Sequence, residues 1–345
     1  MSSSGKIRAI ALVSGGLDSS LAVAVCRELG IEVVGLHFTN VFHAGKGDEG
    51  GAARRSAEAL GIELIERSST PMLMAAVRNP RFGFGKHLNP CMDCREHMLR
   101  EARAMLEDVG AKFIVSGEVL GQRPMSQRGD AMKRIDREAG VEGLVLRPLC
   151  ARVMAESIPE KRGWVDRGKL LGIHGRSRRA QYELARRLGV TVFASPAGGC
   201  LLTDPGFSAR LEELMEHDPD FDENDVELLK HGRHFRLAGH ARAVVGRNQE
   251  DNEGIEALVR PGDVLVEVTA GSCPTTLLRG EVSEQALETA AALTARYAKS
   301  RDLPEVECEY WSPAGGGERG SGTRLTVVPA DEDTVDRLAV GRVND

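Results

Sequence analysis

Two groups of residues have the types and spacing to do chemistry. The first is Ser14-Gly15-Gly16-Leu17-Asp18-Ser19-Ser20, directly after the apolar run Ile7–Val13. Glycines let a backbone pass close to a ligand and take unusual dihedrals. A helix starting at Leu17 turns its unpaired N–H groups toward the loop and makes an anion site. The hydroxyls of Ser14, Ser19 and Ser20 add donors. Asp18 would repel a bare anion, so its presence points to Mg²⁺ bridging carboxylate and phosphates. The pattern G-x-x-x-x-G-K-[ST] is absent, which sets aside the ordinary phosphate-transferring loop. A plain Gly turn with Ser and Asp capping the helix is the blander explanation. The full string, placed right after a buried strand, favours a phosphate cradle.

The second group is Cys91 and Cys94 in Asn89-Pro90-Cys91-Met92-Asp93-Cys94, just before a helix expected over Arg95–Glu107. The C-x-x-C spacing lets both sulfurs reach one metal or one cluster, and a helix N-terminus favours the thiolate. Cys200, in the stretch Ser195–Asp204, follows a strand-like Val190–Ala194 and a glycine approach. With no second C-x-x-C, a closed four-cysteine zinc site is disfavoured. Three thiolates suit a [4Fe–4S] cluster with one open iron. A redox disulfide pair, or zinc completed by His87 or His97, are the competing explanations of the same spacing. Cys26, Cys150, Cys273 and Cys308 read as buried apolar residues.

These groups need a scaffold. Strands Ile7–Val13, Glu32–Phe38, Ile62–Ile65 and Lys112–Ser116 alternate with helices Leu17–Leu29, Gly51–Leu60 and Arg95–Glu107. That alternation predicts a doubly wound α/β domain with a parallel sheet, with ligands at the carboxyl ends of the strands. It is expected to span residues 1–225. A second, smaller α/β domain over 226–345 follows, with strands at Arg242–Gly246, Asp263–Thr269, Val306–Tyr310 and Arg324–Val328. Its helices are expected at Gln249–Leu258 and Ser283–Lys299. Gly315–Gly322 reads as a flexible loop.

The 345 residues carry 41% hydrophobic and 28% charged side chains, values of a globular chain. No apolar run is long enough for a membrane span, and Met1–Gly5 is a polar lead without a signal-peptide pattern, so a cytoplasmic protein is expected. An odd count of seven cysteines argues against a disulfide framework. The net charge of −6 hides an uneven distribution: Gly121–Val190 holds 16 Lys/Arg against 8 Asp/Glu, while Glu212–Glu227 holds nine acids and no Lys or Arg. A basic face on an acidic protein can bind a phosphate backbone, although a solvated helix surface explains the same charges.

The string Ser14–Ser19 resembles the S-G-G-x-D-S signature of the PP-loop ATP pyrophosphatases, which cleave ATP between the α and β phosphates. The resemblance implies that Ser14, Gly15, Gly16, Asp18 and Ser19 contact pyrophosphate and Mg²⁺. It also implies adenine near the end of the second strand, at His37 and Phe38. Ser116-Gly117-Glu118-Val119-Leu120-Gly121-Gln122, continuing to Ser126-Gln127, resembles the G-E-x-L-G-Q-x-x-S-Q segment of tRNA 4-thiouridine synthetases, which adds Gly117 to the nucleotide site. Iron–sulfur members of that superfamily carry a C-x-x-C and one distant Cys, which Cys91, Cys94 and Cys200 match. In the second domain, Val245-Gly246-Arg247-Asn248 with Asn252 resembles the V-G-R-N-x-x-x-N motif of the NFACT RNA-binding domain.

Together these imply ATP- and Mg²⁺-dependent thiolation of a tRNA uridine. Asp18, Cys91, Cys94 and Cys200 would be the catalytic residues. The three cysteines would hold a [4Fe–4S] cluster, and Arg176, Arg178, Arg179 and Arg247 would contact RNA. Adenylation of a small molecule, for sulfur insertion or amide formation, is the enzymatic alternative. A non-catalytic iron–sulfur or RNA-binding protein is the other. The expected partner is tRNA, with a sulfur donor the sequence leaves unnamed. No membrane is expected, and the tail could pack on the catalytic domain or mediate a homodimer.

Overall fold

The computed structural model describes residues 6–44, 50–194 and 199–341. The lead Met1–Gly5, and the Ser195–Gly198 part of the stretch before Cys200, lie outside them. The chain divides into two compact units, Met1–Leu201 and Leu202–Asp345. The sequence reading had put that border near residue 225.

In the first unit, β1 (Arg8–Leu12), β2 (Glu32–Thr39), β3 (Glu63–Ser68), β4 (Phe113–Val115) and β5 (Val145–Leu146) form a parallel sheet in the order β3-β2-β1-β4-β5. β1 sits at its centre. Ala9 and Ala11 join the core on one face, and Ile10 and Leu12 join it on the other. That two-sided burial is why its sequence is a continuous apolar run rather than an alternation. The crossovers are α1 (Leu17–Glu28), α2 (Gly51–Leu60), α3 (Thr70–Arg78), α4 (Cys91–Ala104) and α5 (Gly129–Glu138). The one-turn α6 (Ile158–Lys161) and then α7 (Arg179–Leu188) follow, and α7 packs on α1. The strand order reverses at β1 and β4, so the crevice at a doubly wound sheet's switch point opens between their carboxyl ends. The Ser14–Ser20 loop and the segment from Ser116 leave from these two ends.

Three local expectations are corrected. Helix α4 begins at Cys91 rather than Arg95, so both thiols lie inside its first turn. Asp93 explains the early start, accepting from the amides of Arg81 (3.0 Å) and Phe82 (3.4 Å) and tying the approach to that turn. Val190–Ala194 is no strand. It makes an isolated bridge between Ala194 and Gly16, because only one residue reaches the sheet edge. Helices α3, α5 and α7 lack a side-chain N-cap bond and escaped the sequence reading, although α5 and α7 are strongly amphipathic.

The second unit begins with α8 (Pro205–His217) and α9 (Glu223–Leu228), which hold most of the acidic stretch. Its sheet has seven strands: β6 (Arg233–Arg236), β7 (Arg242–Val245), β8 (Val264–Val268), β9 (Thr276–Arg279), β10 (Val306–Trp311), β11 (Thr323–Val327) and β12 (Ala339–Val340). They run antiparallel in the order β11-β10-β8-β9-β7-β6-β12. Helix α11 (Glu284–Tyr297) buries Ala286, Ala290, Ala291 and Leu293 against one face, and Ile255 of α10 (Gln249–Ala257) packs with Leu277 and Trp311 in a separate cluster. The short α12 (Glu332–Leu338) precedes β12. The glycine-rich Gly315–Gly322 links β10 to β11. Among the described residues, no helix is long and apolar enough to cross a membrane.

Candidate active site

The loop after β1 is built by backbone approach. Gly15 has φ +73°, and a Cβ there would lie 2.4 Å from the carbonyl carbon of Ala52. Its carbonyl accepts from the Ala194 amide at 2.8 Å. Gly117 does the same from β4's side: a Cβ on it would lie 2.6 Å from the backbone of Asp18 and Ser19. Only glycine at both positions lets α2 and the post-β4 segment close on the loop.

Ser14 Oγ lies 3.2 Å from Ser19 Oγ, and Ser19 Oγ donates to the Gly16 carbonyl at 2.9 Å. These two hydroxyls shape the cradle. Ser20 does not join them. It is fully buried, donates to the Gly16 carbonyl at 3.0 Å and sits 2.7 Å from Ser56 Oγ on α2, so it ties two helices together. Asp18 is held on one side only. Its Oδ2 accepts from Gln122 Nε2 at 2.6 Å, and Gln122 Oε1 in turn accepts from Gln181 Nε2 of α7 at 2.7 Å. Asp18 Oδ1 is buried without a hydrogen-bond partner among the described residues. A buried carboxylate oxygen left bare is costly unless a ligand satisfies it.

His37 and Phe38 at the end of β2 point to opposite faces, as consecutive strand residues must. His37 Nδ1 lies 2.8 Å from the Val13 carbonyl, beside the loop, and burial lowers its pKa. Phe38 instead packs edge-on against His97 of α4, ring centroids 5.9 Å apart. The two side chains are therefore not brought together.

Cys91 and Cys94 lie one turn apart on α4. Burial pushes the Cys94 thiol up to about 12 and raises Cys91 as well, so desolvation outweighs the helix N-terminus that favours thiolates. Cys94 is also raised by electrostatic interaction with Cys200 and Cys91. Cys200 arrives by a short ribbon with the chain after β2. The Ala44 amide donates to the Gly199 carbonyl at 3.0 Å, the Leu201 amide to the Phe42 carbonyl at 2.8 Å, and His43 bridges Cys200. Among the described residues, no group of three His, Cys, Asp or Glu side chains has the spacing for a single metal ion. Cys26, Cys150 and Cys308 are buried, as expected, whereas Cys273 is only half-buried.

Two arginines escaped the sequence reading. Arg123 reaches solvent, yet desolvation of its guanidinium lowers its pKa, as do the charges of Arg95 and Arg178. Asp18 and Cys91 pull the other way. One guanidinium thus senses both the loop carboxylate and a thiol. Arg95 follows Cys94 directly, and its Nε lies 3.1 Å from Glu118 Oε1. Glu118 is buried and also takes Arg147 Nε at 3.0 Å, while Arg147 grips Asp136 at 2.8 and 2.7 Å. Burial alone would raise the Glu118 pKa, but Arg95 and Arg147 more than reverse it and hold it below the usual range. Position alone marked these residues: Arg123 follows Gln122, and Arg95 follows the C-x-x-C.

Of the expected RNA contacts, Arg176 and Arg179 are exposed at the entry to α7, Arg178 is half-buried, and Arg179 pairs with Glu183 at 3.0 Å. Arg247, in the second unit, is gripped by the buried Asp251 through Nε (2.6 Å) and Nη2 (3.2 Å), while Asn248 Oδ1 caps α10. The Arg247 guanidinium therefore already holds a local turn.

Residues 3–158 match the family model described as "Thiamine biosynthesis protein (ThiI)", and residues 232–337 match "NFACT protein RNA binding domain". The chain is 27% identical over 287 residues to a tRNA-specific 2-thiouridylase of Leifsonia xyli, covering 76% of this chain and 74% of that one. It is 25% identical over 248 residues to a "Probable tRNA sulfurtransferase" of Methanothermobacter thermautotrophicus, covering 68% of this chain but 54% of the relative. A solved 4-thiouridine synthetase–RNA complex with bound ATP is 19% identical, with a TM-score of 0.35 over 65% of this chain and 52% of that one. The resemblances read from Ser14–Ser19 and from Val245–Asn252 thus each fall within a matched segment.

Proposed function

We propose that this chain, a PP-loop segment of ThiI type joined to an NFACT-type segment, is an ATP-dependent enzyme that thiolates a uridine of tRNA. One observation supports the reading: Gln122 hydrogen-bonds Asp18 of the loop, and the next residue, Arg123, carries a guanidinium influenced by both Asp18 and Cys91. The tRNA-modifying relatives support it.

A uridine carbonyl is a poor electrophile, and adenylation supplies a leaving group. The carbonyl oxygen attacks the α-phosphorus of ATP, and the bond to the β-phosphate breaks to release pyrophosphate. A sulfur nucleophile then adds to the ring carbon, the C–O bond breaks, and AMP departs with the original oxygen. The amides at the start of α1 and the Ser14 and Ser19 hydroxyls would hold the departing pyrophosphate. Gln122 keeps Asp18 aimed at it. The Arg123 guanidinium offsets negative charge on the reacting groups.

The loop carboxylate suits one of the two inorganic groups the family implies, and the three cysteines supply the donor chemistry of the other. The bare, buried Asp18 Oδ1 suits Mg²⁺, which would neutralise charge on the phosphates. Cys91, Cys94 and Cys200 offer three soft donors, with Arg95 and Arg123 beside Cys91 to balance anionic charge. They would hold a [4Fe–4S] cluster, which when bound supplies an open iron for sulfide. The test is pyrophosphate release from ATP with tRNA and sulfide supplied separately and together, followed by nucleoside analysis of the tRNA. Release that needs tRNA, with sulfide needed for a thiouridine and continued turnover, supports the reading. Release indifferent to tRNA, or normal thionucleosides in a deletion strain, overturns it.

A further inference from the structure

A groove of about 560 Å³ runs between α7 and the segment that follows it, lined by Tyr182, Arg186, Val190 and Phe193. Its walls are mostly apolar, although it opens to solvent. Along it Tyr182 rests on Phe193, ring centroids 6.5 Å apart and tilted by 51°, and Phe193 in turn packs on the core. Tyr182 is 41% exposed, which leaves much of its ring open to solvent. The core does not need Tyr182: α7 packs inward through Leu184, Ala185 and Leu188.

The surroundings select the occupant. From Arg176 to Ala194 there are five arginines and one acid, Glu183. An exposed aromatic ring beside a guanidinium rim matches a ligand that is both planar and polyanionic. An exposed nucleobase on a phosphate backbone has that chemistry, and a duplex does not, because its ring faces are stacked away. The groove is also tied to the nucleotide loop at two points. Ala194, next to Phe193, donates its amide to the Gly15 carbonyl. Gln181, next to Tyr182, reaches Asp18 through Gln122.

We propose that this groove is a stacking site for an unpaired base of the substrate RNA, laid on the exposed ring of Tyr182 with Arg186 on its phosphate. It would anchor a nucleotide near the one being modified, and to that extent it rests on the tRNA reading above. Stacking tolerates any base, so the site would secure an unstacked strand rather than read sequence.

The experiment is fluorescence anisotropy of a labelled single-stranded oligouridylate on the full chain at fixed salt, with ATP affinity titrated separately. Tyr182→Ala should weaken oligouridylate binding by about 5- to 150-fold, the range for losing one base–aromatic stack. Tyr182→Phe should bind like the parent, and both variants should keep the parent's ATP affinity. Arg186→Ala should flatten the salt dependence of binding. No oligouridylate binding by the parent, or equal binding by Tyr182→Ala, overturns the proposal. So does a change of sedimentation coefficient in Tyr182→Ala with RNA binding intact, which would assign the groove to a second copy. If tRNA fails to stimulate pyrophosphate release while the Tyr182 effect holds, the thiolation reading falls and the groove stands. If release is stimulated but Tyr182→Ala is indifferent, the groove falls alone.

Discussion

Gln122 donates to one oxygen of Asp18 across 2.6 Å, while the other is buried with no partner among the described residues. The amide thus fixes the carboxylate without satisfying it, as a metal ligand on phosphates would require. Asp18→Asn should lower pyrophosphate release by about 100- to 1,000-fold, the usual effect of losing one strong transition-state contact. Gln122→Ala leaves the charge in place and should cost about tenfold, since only orientation is lost. Initial-rate assays at saturating ATP separate the two, and equal effects would contradict this division of roles.

Gly117 is predicted to tolerate no side chain. A Cβ there meets Asp18 and Ser19 backbone at 2.6 Å, and backbone cannot swing away as a flexible side chain can. Gly117→Ala should destabilise the first unit by about 1–3 kcal/mol, the usual range for overpacking, and weaken ATP binding with it. Calorimetric ATP titration beside thermal melting checks both, and unchanged affinity would show that the loop can retreat.

The thiols make a reactivity prediction. With Cys94 pushed up to about 12, almost none of it is thiolate at neutral pH. In metal-free protein it should alkylate with iodoacetamide at least about a hundredfold slower than an unstructured cysteine. Cys91, less strongly raised, should react first. Anaerobic reconstitution with iron and sulfide should protect all three cysteines and give broad visible absorption, which Cys200→Ala should diminish. Mass spectrometry of the labelled peptides reads the order, and faster labelling of Cys94 than of Cys91 would rule out the burial argument.

Glu118 makes acid stability sensitive to one residue. Its pKa is lowered in the folded chain, so the stability it contributes is complete above the ordinary carboxylate range. That contribution is lost as pH falls through the lowered value. Glu118→Gln leaves Arg95 and Arg147 without their shared carboxylate and should cost about 3–5 kcal/mol near neutrality. It should also flatten the acid limb. Urea midpoints measured along a pH series test this, and parallel pH curves for parent and variant would refute it.

The amino-acid sequence alone determined what local patterns encode. The central strand showed in Ile7–Val13 because β1 is buried on both faces. The nucleotide loop showed because a Gly-Gly-x-Asp-Ser string has few other uses after such a strand, and the paired thiols showed because three residues make one helical turn. What only the tertiary structure decided lies between segments far apart in the chain. Arg123 feels the charges of Asp18 and Cys91, Gln181 steadies Gln122, Cys200 is carried on a ribbon with residues 42–44, and Tyr182 finds Phe193. Each of these rests on the sheet order β3-β2-β1-β4-β5 and on which helix covers which face. Burial also reversed the expectation for Cys94, since the cost of desolvating a thiolate depends on neighbours that no spacing reveals.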